Sequence, residues 1–326
     1  MQPRDLLHAL ADGTPIHGSD LARRFGVTRA AVWKRIEELR SAGLAIEASS
    51  GAGYRLAAPI ELLERERICV LLSPLQRASL GAFDLHWEID STNSELLRRA
   101  GSVPDLSLCV AESQTAGRGR RGRQWLSPPA GNVYLSVFKR FDKAMGELSG
   151  LSLAVGIAVA HALSDAGISG HGLKWPNDIL TNGRKLAGVL VESGGEFLGP
   201  CHAVIGVGIN IHLSALARSK IDQPATDLRD LCATLPSRNA VVAGLIGRLM
   251  EALQEFSRHG FAAFQDDFAH FDLLRGVALE VSDVRGTHAG IGAGVDARGA
   301  LRVQQGDAMV CYDSAEISVR GKGVSE

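Results

Sequence analysis

The chain is poor in aromatics, 5% of 326 residues, and its five cysteines include no C-x-x-C pair. Cys69, Cys109, Cys201, Cys232 and Cys311 are scattered and the ten histidines are dispersed, so neither a zinc-type ligand cluster nor a disulfide framework has a sequence basis. The cysteines read as buried thiols. Long apolar runs are also missing. The longest, Leu151 to Leu163, is shorter than the roughly 18 residues of a membrane span and holds His161, so it reads as a buried helix. Met1-Gln-Pro-Arg-Asp opens with mixed charge and is followed by no apolar segment of signal-peptide form, which predicts a cytoplasmic chain with no membrane role. A net charge of −1 removes any global basic excess, so contact with nucleic acid must rest on a local patch. There is no Walker A sequence, no G-x-G-x-x-G after a strand, and no Ser/His/Asp or Cys/His set. The remaining composition, 45% hydrophobic and 22% charged, is that of an ordinary globular protein of two or three domains.

What is present is concentrated. Gln114-Thr-Ala-Gly-Arg-Gly-Arg-Arg-Gly-Arg-Gln-Trp125 sets Arg118, Arg120, Arg121 and Arg123 between glycines. Guanidiniums so close repel one another unless an anion meets them. The glycines let the backbone bend and bring N–H groups toward phosphate or carboxylate oxygens. A solvated basic loop is the plain alternative.

Residues 1 to about 60 read as helices ending in a hairpin. Leu6, Leu7 and Leu10 mark the first helix; Ser19 is placed to cap a second that Gly26 ends, and Thr28 a third running to Gly43. On the third, Val32, Ile36 and Leu39 share one face, with Arg29, Trp33 and Arg40 beside them and Lys34 further round. Leu44-Ala-Ile-Glu and Tyr54-Arg-Leu form a two-stranded wing. The pattern matches a winged helix-turn-helix. Its eight Lys/Arg against six Asp/Glu give a mild positive balance clustered on the second and third helices. DNA-contact candidates are Ser19, Arg23, Thr28, Arg29, Trp33, Lys34 and Arg40; a three-helix domain that only packs on its neighbour is the alternative.

After Ala57-Ala-Pro the chain becomes mixed α/β, and from about Gly276 it turns to short β segments that suggest a small barrel-like module. Boundaries are predicted at 1–62, 63–275 and 276–326.

Four further clusters carry polar chemistry. Lys174-Trp-Pro-Asn-Asp178 gives a cation, an amide and a carboxylate, with Pro176 predicted to end a strand and release Asn177 and Asp178 into a loop. Such a set can hold a phosphate, position an amine or ligate Mg²⁺, or be a plain turn. Arg184-Lys185 precede a buried strand ending at Glu192, with Lys185 at its mouth. Ser91-Thr-Asn93 sits at a strand-to-helix junction as caps or ligand contacts, and Gly206-Val-Gly-Ile-Asn210 puts an amide on an apolar strand. Cations and amides without a nucleophile suit chemistry by positioning and charge stabilisation, such as attack of a substrate carboxylate on a nucleoside triphosphate.

In this order, Ser91-Thr-Asn, Gln114-x-x-Gly-Arg-Gly-Arg-Arg-Gly-Arg123, Lys174-Trp-Pro-Asn-Asp178, Lys185-Leu-Ala-Gly188 and Gly206-x-Gly-x-Asn210 resemble biotin protein ligases. With the N-terminal winged helix, the likeness is to the bifunctional ligase and biotin operon repressors. It spans essentially the whole chain, including Glu316-Ile-Ser-Val-Arg320; the Lys-x-x-Asn-Asp element is shared with lipoate ligases.

The resemblance implies an α+β protein: winged helix, mixed α/β ligase domain and a C-terminal SH3-like β-barrel. It implies that biotin and MgATP give biotinyl-AMP, whose biotin passes to a lysine of a biotin carboxyl carrier domain. It implies operator DNA as a partner, and a homodimer when the adenylate is bound. Ser91, Thr92, Asn93 and Gln114 would read the biotin head, and Arg118, Gly119 and Arg120 would fold over biotin and phosphate. Lys185 would bridge biotin carboxylate and α-phosphate, and Asp178 would serve Mg²⁺ or the incoming lysine. These make Lys185, Arg118, Arg120 and Asp178 the catalytic candidates. Trp125, Lys174, Asn177, Asn210 and Arg320 would hold the nucleotide. One departure is Gly51-Ala-Gly-Tyr54, where the wing lacks an expected cation. A ligase with a structural N-terminal domain, a biotin sensor without catalysis and a lipoate ligase are the rival readings.

Overall fold

The structure is a computed structural model that describes residues 1–49, 51–196, 198–283, 286–313 and 318–321. Three helices open it: α1 (Pro3–Leu10), α2 (Gly18–Phe25) and α3 (Arg29–Ser41). A hairpin follows, β1 (Ile46–Ser49) and β2 (Gly53–Leu56), in register Ile46 to Leu56. Pro3 at the first turn and a reciprocal Gln2/Asp5 cap start α1. Gly26, at φ 64°, closes α2, and Thr28 Oγ1 accepts from Ala31 N–H to cap α3. Ser19 does not cap α2: the helix begins at Gly18 with His17 at the N-cap, because His17 C=O already takes the Asp20 and Leu21 N–H groups. Leu6, Leu7, Leu10, Leu21, Val32, Ile36 and Leu39 make a core of their own that Trp87 and Ala130 of the next unit also touch.

The central sheet has seven strands: β3 (Phe83–Ile89), β4 (Ser107–Gln114), β5 (Asn132–Phe141), β6 (His171–Lys174), β7 (Asp178–Thr181), β8 (Arg184–Gly195) and β9 (Cys201–Asn210). Their order is β3-β4-β5-β9-β8-β7-β6, parallel only between β3 and β4, which the helix Thr92–Arg98 connects. Alternation on β5 and β9 sends Val133, Leu135, Val137, Val207 and Ile209 into the main core. The helices Leu151–Asp165 and Arg238–His259 supply the other side of that core. By length and apolarity the stretch Met145–Asp165 passes for a membrane span, but 67% of its window is buried inside the protein, as a core helix requires. The opposite sheet face carries Ser136, Gly206, Gly208 and Asn210 and, under the helix Thr92–Arg98, a smaller cluster of Leu96, Cys109, Phe138 and Val204.

Five antiparallel strands end the chain: β10 (Ala278–Asp283), β11 (Gly286–Val295), β12 (Leu301–Gln305), β13 (Ala308–Tyr312) and β14 (Ser318–Gly321). Their order β13-β12-β11-β10-β14 is that of a small SH3-like module. Leu279, Val281, Leu301 and Val303 join its interior to the main core, and Trp175 Nε1 donates to Gly299 C=O across the junction at 3.0 Å. The fold is thus α+β in the predicted order.

Candidate active site

At the end of β3 the chain turns into the helix Thr92–Arg98, and Ser91 caps it by accepting from Ser94 N–H. The cap holds Thr92 and Asn93 at 4% and 3% exposure under β5 and β9. Gln114 ends β4 beside them. Its Oε1 accepts from Thr92 N–H at 2.9 Å and Thr92 Oγ1 at 3.2 Å, and its Nε2 donates to Ser127 Oγ at 3.0 Å. Ser136 Oγ lies 2.7 Å from Thr92 Oγ1 and 2.6 Å from Asn93 Oδ1; with one proton it donates to one of them at a time. The result is a neutral corner of hydroxyls and amides in fixed orientations.

The Arg-rich segment is a tight hairpin rather than an open loop. Trp125 N–H donates to Gly117 C=O at 2.9 Å and Gly119 N–H to Arg123 C=O at 2.7 Å, with Arg121 at φ 58° at the tip. A carboxylate of β8 and an amide of the turn between β6 and β7 meet two of its cations. Arg118 Nη2 donates to Glu192 Oε2 at 2.8 Å, and Arg120 Nη1 to Asn177 Oδ1 at 3.3 Å. Burial pulls the Arg120 guanidinium below the usual arginine range, with Arg121 pulling the same way and Asp178 opposing.

The second end of the groove is cationic. Lys185 is the second residue of β8, and its Nζ is 2.7 Å from Asp178 Oδ1, both side chains being largely buried. Asp178 is not in a loop: it opens β7 opposite Lys174, because the turn that holds Pro176 needs only the three residues Trp175, Pro176 and Asn177. Lys185 Nζ also lies 5.3 Å from the Trp125 ring centroid. Asn177 Nδ2 donates to Val189 C=O at 2.9 Å, and Asn210 Nδ2 to Thr226 C=O at 3.1 Å and Lys185 C=O at 3.3 Å, so the two amides brace neighbouring strands.

Between the ends, the floor is made of Gly188 on β8 and Gly206 and Gly208 on β9. A Cβ at Gly206 would overlap Asn93 Oδ1, and one at Gly208 would overlap the Trp125 ring. Trp125 Nε1 is buried against this floor without a hydrogen-bond partner. Glycines that seat Asn93 and the Trp125 ring, an unpartnered indole donor, a neutral corner at one end and Lys185 with Arg120 at the other fit an elongated acid beside a polyanion.

Arg320 lies on β14 opposite Glu280, and its side chain and Glu316 fall outside the described residues. Among the described residues no three His, Cys, Asp or Glu side chains come together as a metal cage. Mg²⁺ carried on nucleotide phosphates needs only one or two carboxylates, which the place of Asp178 beside Lys185 fits. Sequence reasoning gave no role to Ser127, Ser136 or Glu192. Glu192 is the last residue of the Lys185 strand motif, and its alternation with Gly188 was the available signal.

In the N-terminal unit Arg29, Trp33 and Lys34 are exposed on α3, with Trp33 at 58%. Ser19 and Thr28 are exposed too, and Arg23 pairs loosely with Asp20 at 3.4 Å. Arg40 departs from that face. Its Nη1 donates to Glu37 at 2.6 Å and its Nε to Ile46 C=O at 2.8 Å, so it ties α3 to the wing.

Residues 87–210 match the biotin/lipoate A/B protein ligase family and residues 4–55 an HTH domain. The chain is 38% identical over 320 residues to the bifunctional ligase/repressor BirA of Salmonella typhimurium, covering 98% of this chain and 97% of that one. To the Escherichia coli protein of the same name it is 37% identical with the same coverage. A biotin protein ligase from Aquifex aeolicus, solved with biotin and ATP, matches at TM-score 0.64 and 28% identity, over 74% of this chain and 99% of that one.

Proposed function

The chain belongs to the bifunctional ligase/repressor family, and on that premise we propose that it biotinylates a carrier protein with ATP and represses transcription through its winged helix. The biotin carboxylate attacks the α-phosphate of ATP to give biotinyl-5′-AMP and pyrophosphate. The ε-amine of a carrier-domain lysine then attacks the acyl carbon and releases AMP. The observation that carries the reading is the polarity of the groove: a neutral corner at Thr92, Asn93 and Gln114, and the Lys185–Asp178 pair at the other end. Biotin has that polarity, with an uncharged ureido head and a carboxylate tail.

The chemistry follows from placement. Ser91, Thr92, Asn93 and Gln114 read the head. Lys185 lies between the carboxylate and the α-phosphate, where it offsets the repulsion of two anions. Arg118, Gly119 and Arg120 close over the adenylate and exclude water, since a mixed anhydride hydrolyses when wet. Trp125 stacks on adenine over Gly208, and Lys174, Asn177, Asn210 and Arg320 complete the nucleotide side. Asp178 would hold Mg²⁺ arriving with ATP, which would supply neutralisation of phosphate charge. Asp178 also lies where it can accept a hydrogen bond from the incoming lysine.

We place the ligase domain at 63–275, between the winged helix of 1–62 and the SH3-like module of 276–326. The adenylate-bound chain acts as a homodimer on operator DNA, in the cytoplasm. The test has two parts. Exchange of labelled pyrophosphate into ATP that requires biotin supports the ligase; exchange that lipoate supports equally overturns it. Sequence-specific DNA binding whose affinity falls with salt supports repression, and binding without sequence preference leaves a ligase alone.

A further inference from the structure

Glu192 stands between the two halves of the groove. Gly188, Leu190 and Glu192 alternate on β8, and Gly188 faces Trp125, so the Glu192 side chain rises on the ligand side of the sheet. Its Oε2 accepts from Asn93 Nδ2 and from Arg118 Nη2, both at 2.8 Å. Asn93 cannot reorient freely: Ser136 lies at its Oδ1, Leu190 C=O is 3.4 Å from its Nδ2, and it is 3% exposed. A single carboxylate oxygen therefore gathers an amide of the head-reading corner and the first arginine of the hairpin.

We propose that Glu192 is a positioning residue that fixes Asn93 and Arg118 together, so that head-group recognition and the closed hairpin form one unit. The inference rests on the ligase reading for its substrate, and on geometry alone for the tether. The Arg118–Glu192 pair is partly exposed, at 42% and 24% of the side chains, and on its own would add little to stability. Its effect lies in where it holds Arg118. A carboxylate with two charge-assisted or amide donors sets their directions more firmly than a neutral acceptor does. Removing it leaves Asn93 Nδ2 with only the longer contact to Leu190 C=O, so its direction is set less firmly, and lets the hairpin lift.

The experiment uses the full chain with Glu192→Gln and Glu192→Ala. Gln keeps an acceptor for Asn93 and loses the ion pair, whereas Ala loses both. Trypsin added without any ligand is expected to cut at the hairpin arginines several-fold faster in both variants, while the rest of the chain is cut as in wild type. Calorimetry with biotin alone is expected to show affinity about tenfold weaker for Gln and weaker still for Ala. The biotin KM then rises more than kcat falls, and the ATP KM moves least. Equal hairpin cleavage in wild type and Glu192→Gln overturns the tether. Biotin affinity unchanged in Glu192→Ala overturns the positioning role. If wild type itself takes up no biotin, the ligase reading fails, and the trypsin comparison still decides whether Glu192 holds the hairpin.

Discussion

Arg238 and Glu112 form a buried ion pair, Nη2 to Oε2 at 2.8 Å, with side chains 6% and 4% exposed. Arg238 opens the long helix and also donates to Asn132 C=O and Glu61 C=O, while Glu112 Oε1 accepts from Leu63 N–H. The segment joining the winged helix to the sheet is thus pinned by the strand that ends at Gln114. Removing one partner leaves the other charge buried, which costs about 3–5 kcal/mol. Arg238→Met should lower stability to urea by that amount, and Arg238→Met with Glu112→Leu by clearly less. Equal losses would show that the charge is not what matters.

Two glycines on one strand should separate the two subsites. Gly206→Ala pushes Asn93 and Gly208→Ala pushes Trp125. The first is expected to raise the biotin KM about tenfold with a smaller change for ATP, and the second the reverse, each about 1.4 kcal/mol in binding. Initial-rate kinetics with each substrate varied in turn decides it. Parallel changes in both constants would place the two side chains in one undivided site.

Arg29 and Arg40 lie on the same helix and are expected to behave differently. Arg29 is exposed, whereas Arg40 is tied to Glu37 and the Ile46 carbonyl. Arg29→Ala should lower the slope of log affinity against log salt on operator DNA by about one. Arg40→Ala should instead lower the melting temperature of the N-terminal unit. A slope unchanged by Arg29→Ala would remove α3 from the phosphate backbone.

His171, His202 and His212 are each held below the ordinary imidazole value of 6.5, in all three first by burial. Below that value the unfolded chain takes up protons that the folded chain refuses. Their contribution is therefore complete above the unfolded value and is lost as pH falls toward the folded one. The urea midpoint should drop as pH falls below the unfolded imidazole value of 6.5. A flat or rising midpoint would contradict the burial of these rings.

The elements were legible wherever a local signal marks them. Gly26 and Thr28 punctuate α2 and α3, and the apolar stretches that end at Glu192 and carry Asn210 gave β8 and β9. The strand before Pro176 was legible as β6, but the start of β7 was read as a loop because Pro176 marks the turn before it and a four-residue strand leaves little periodicity. Ser19 was misplaced because His17 fills the cap through its backbone, which no side-chain rule detects. Motifs supplied most of the candidate site. Glu192, Ser136 and the Glu112–Arg238 pair act through partners 43 to 126 residues away, and such pairings leave no mark in a local window.

The most direct measurement is the intact mass of an acceptor biotin carrier domain after incubation with this protein, biotin and MgATP, with lipoate in a parallel reaction. A gain of one biotin that requires ATP and is absent with lipoate is the predicted result. No gain, with biotin still bound by the protein, would contradict a ligase and leave a sensor.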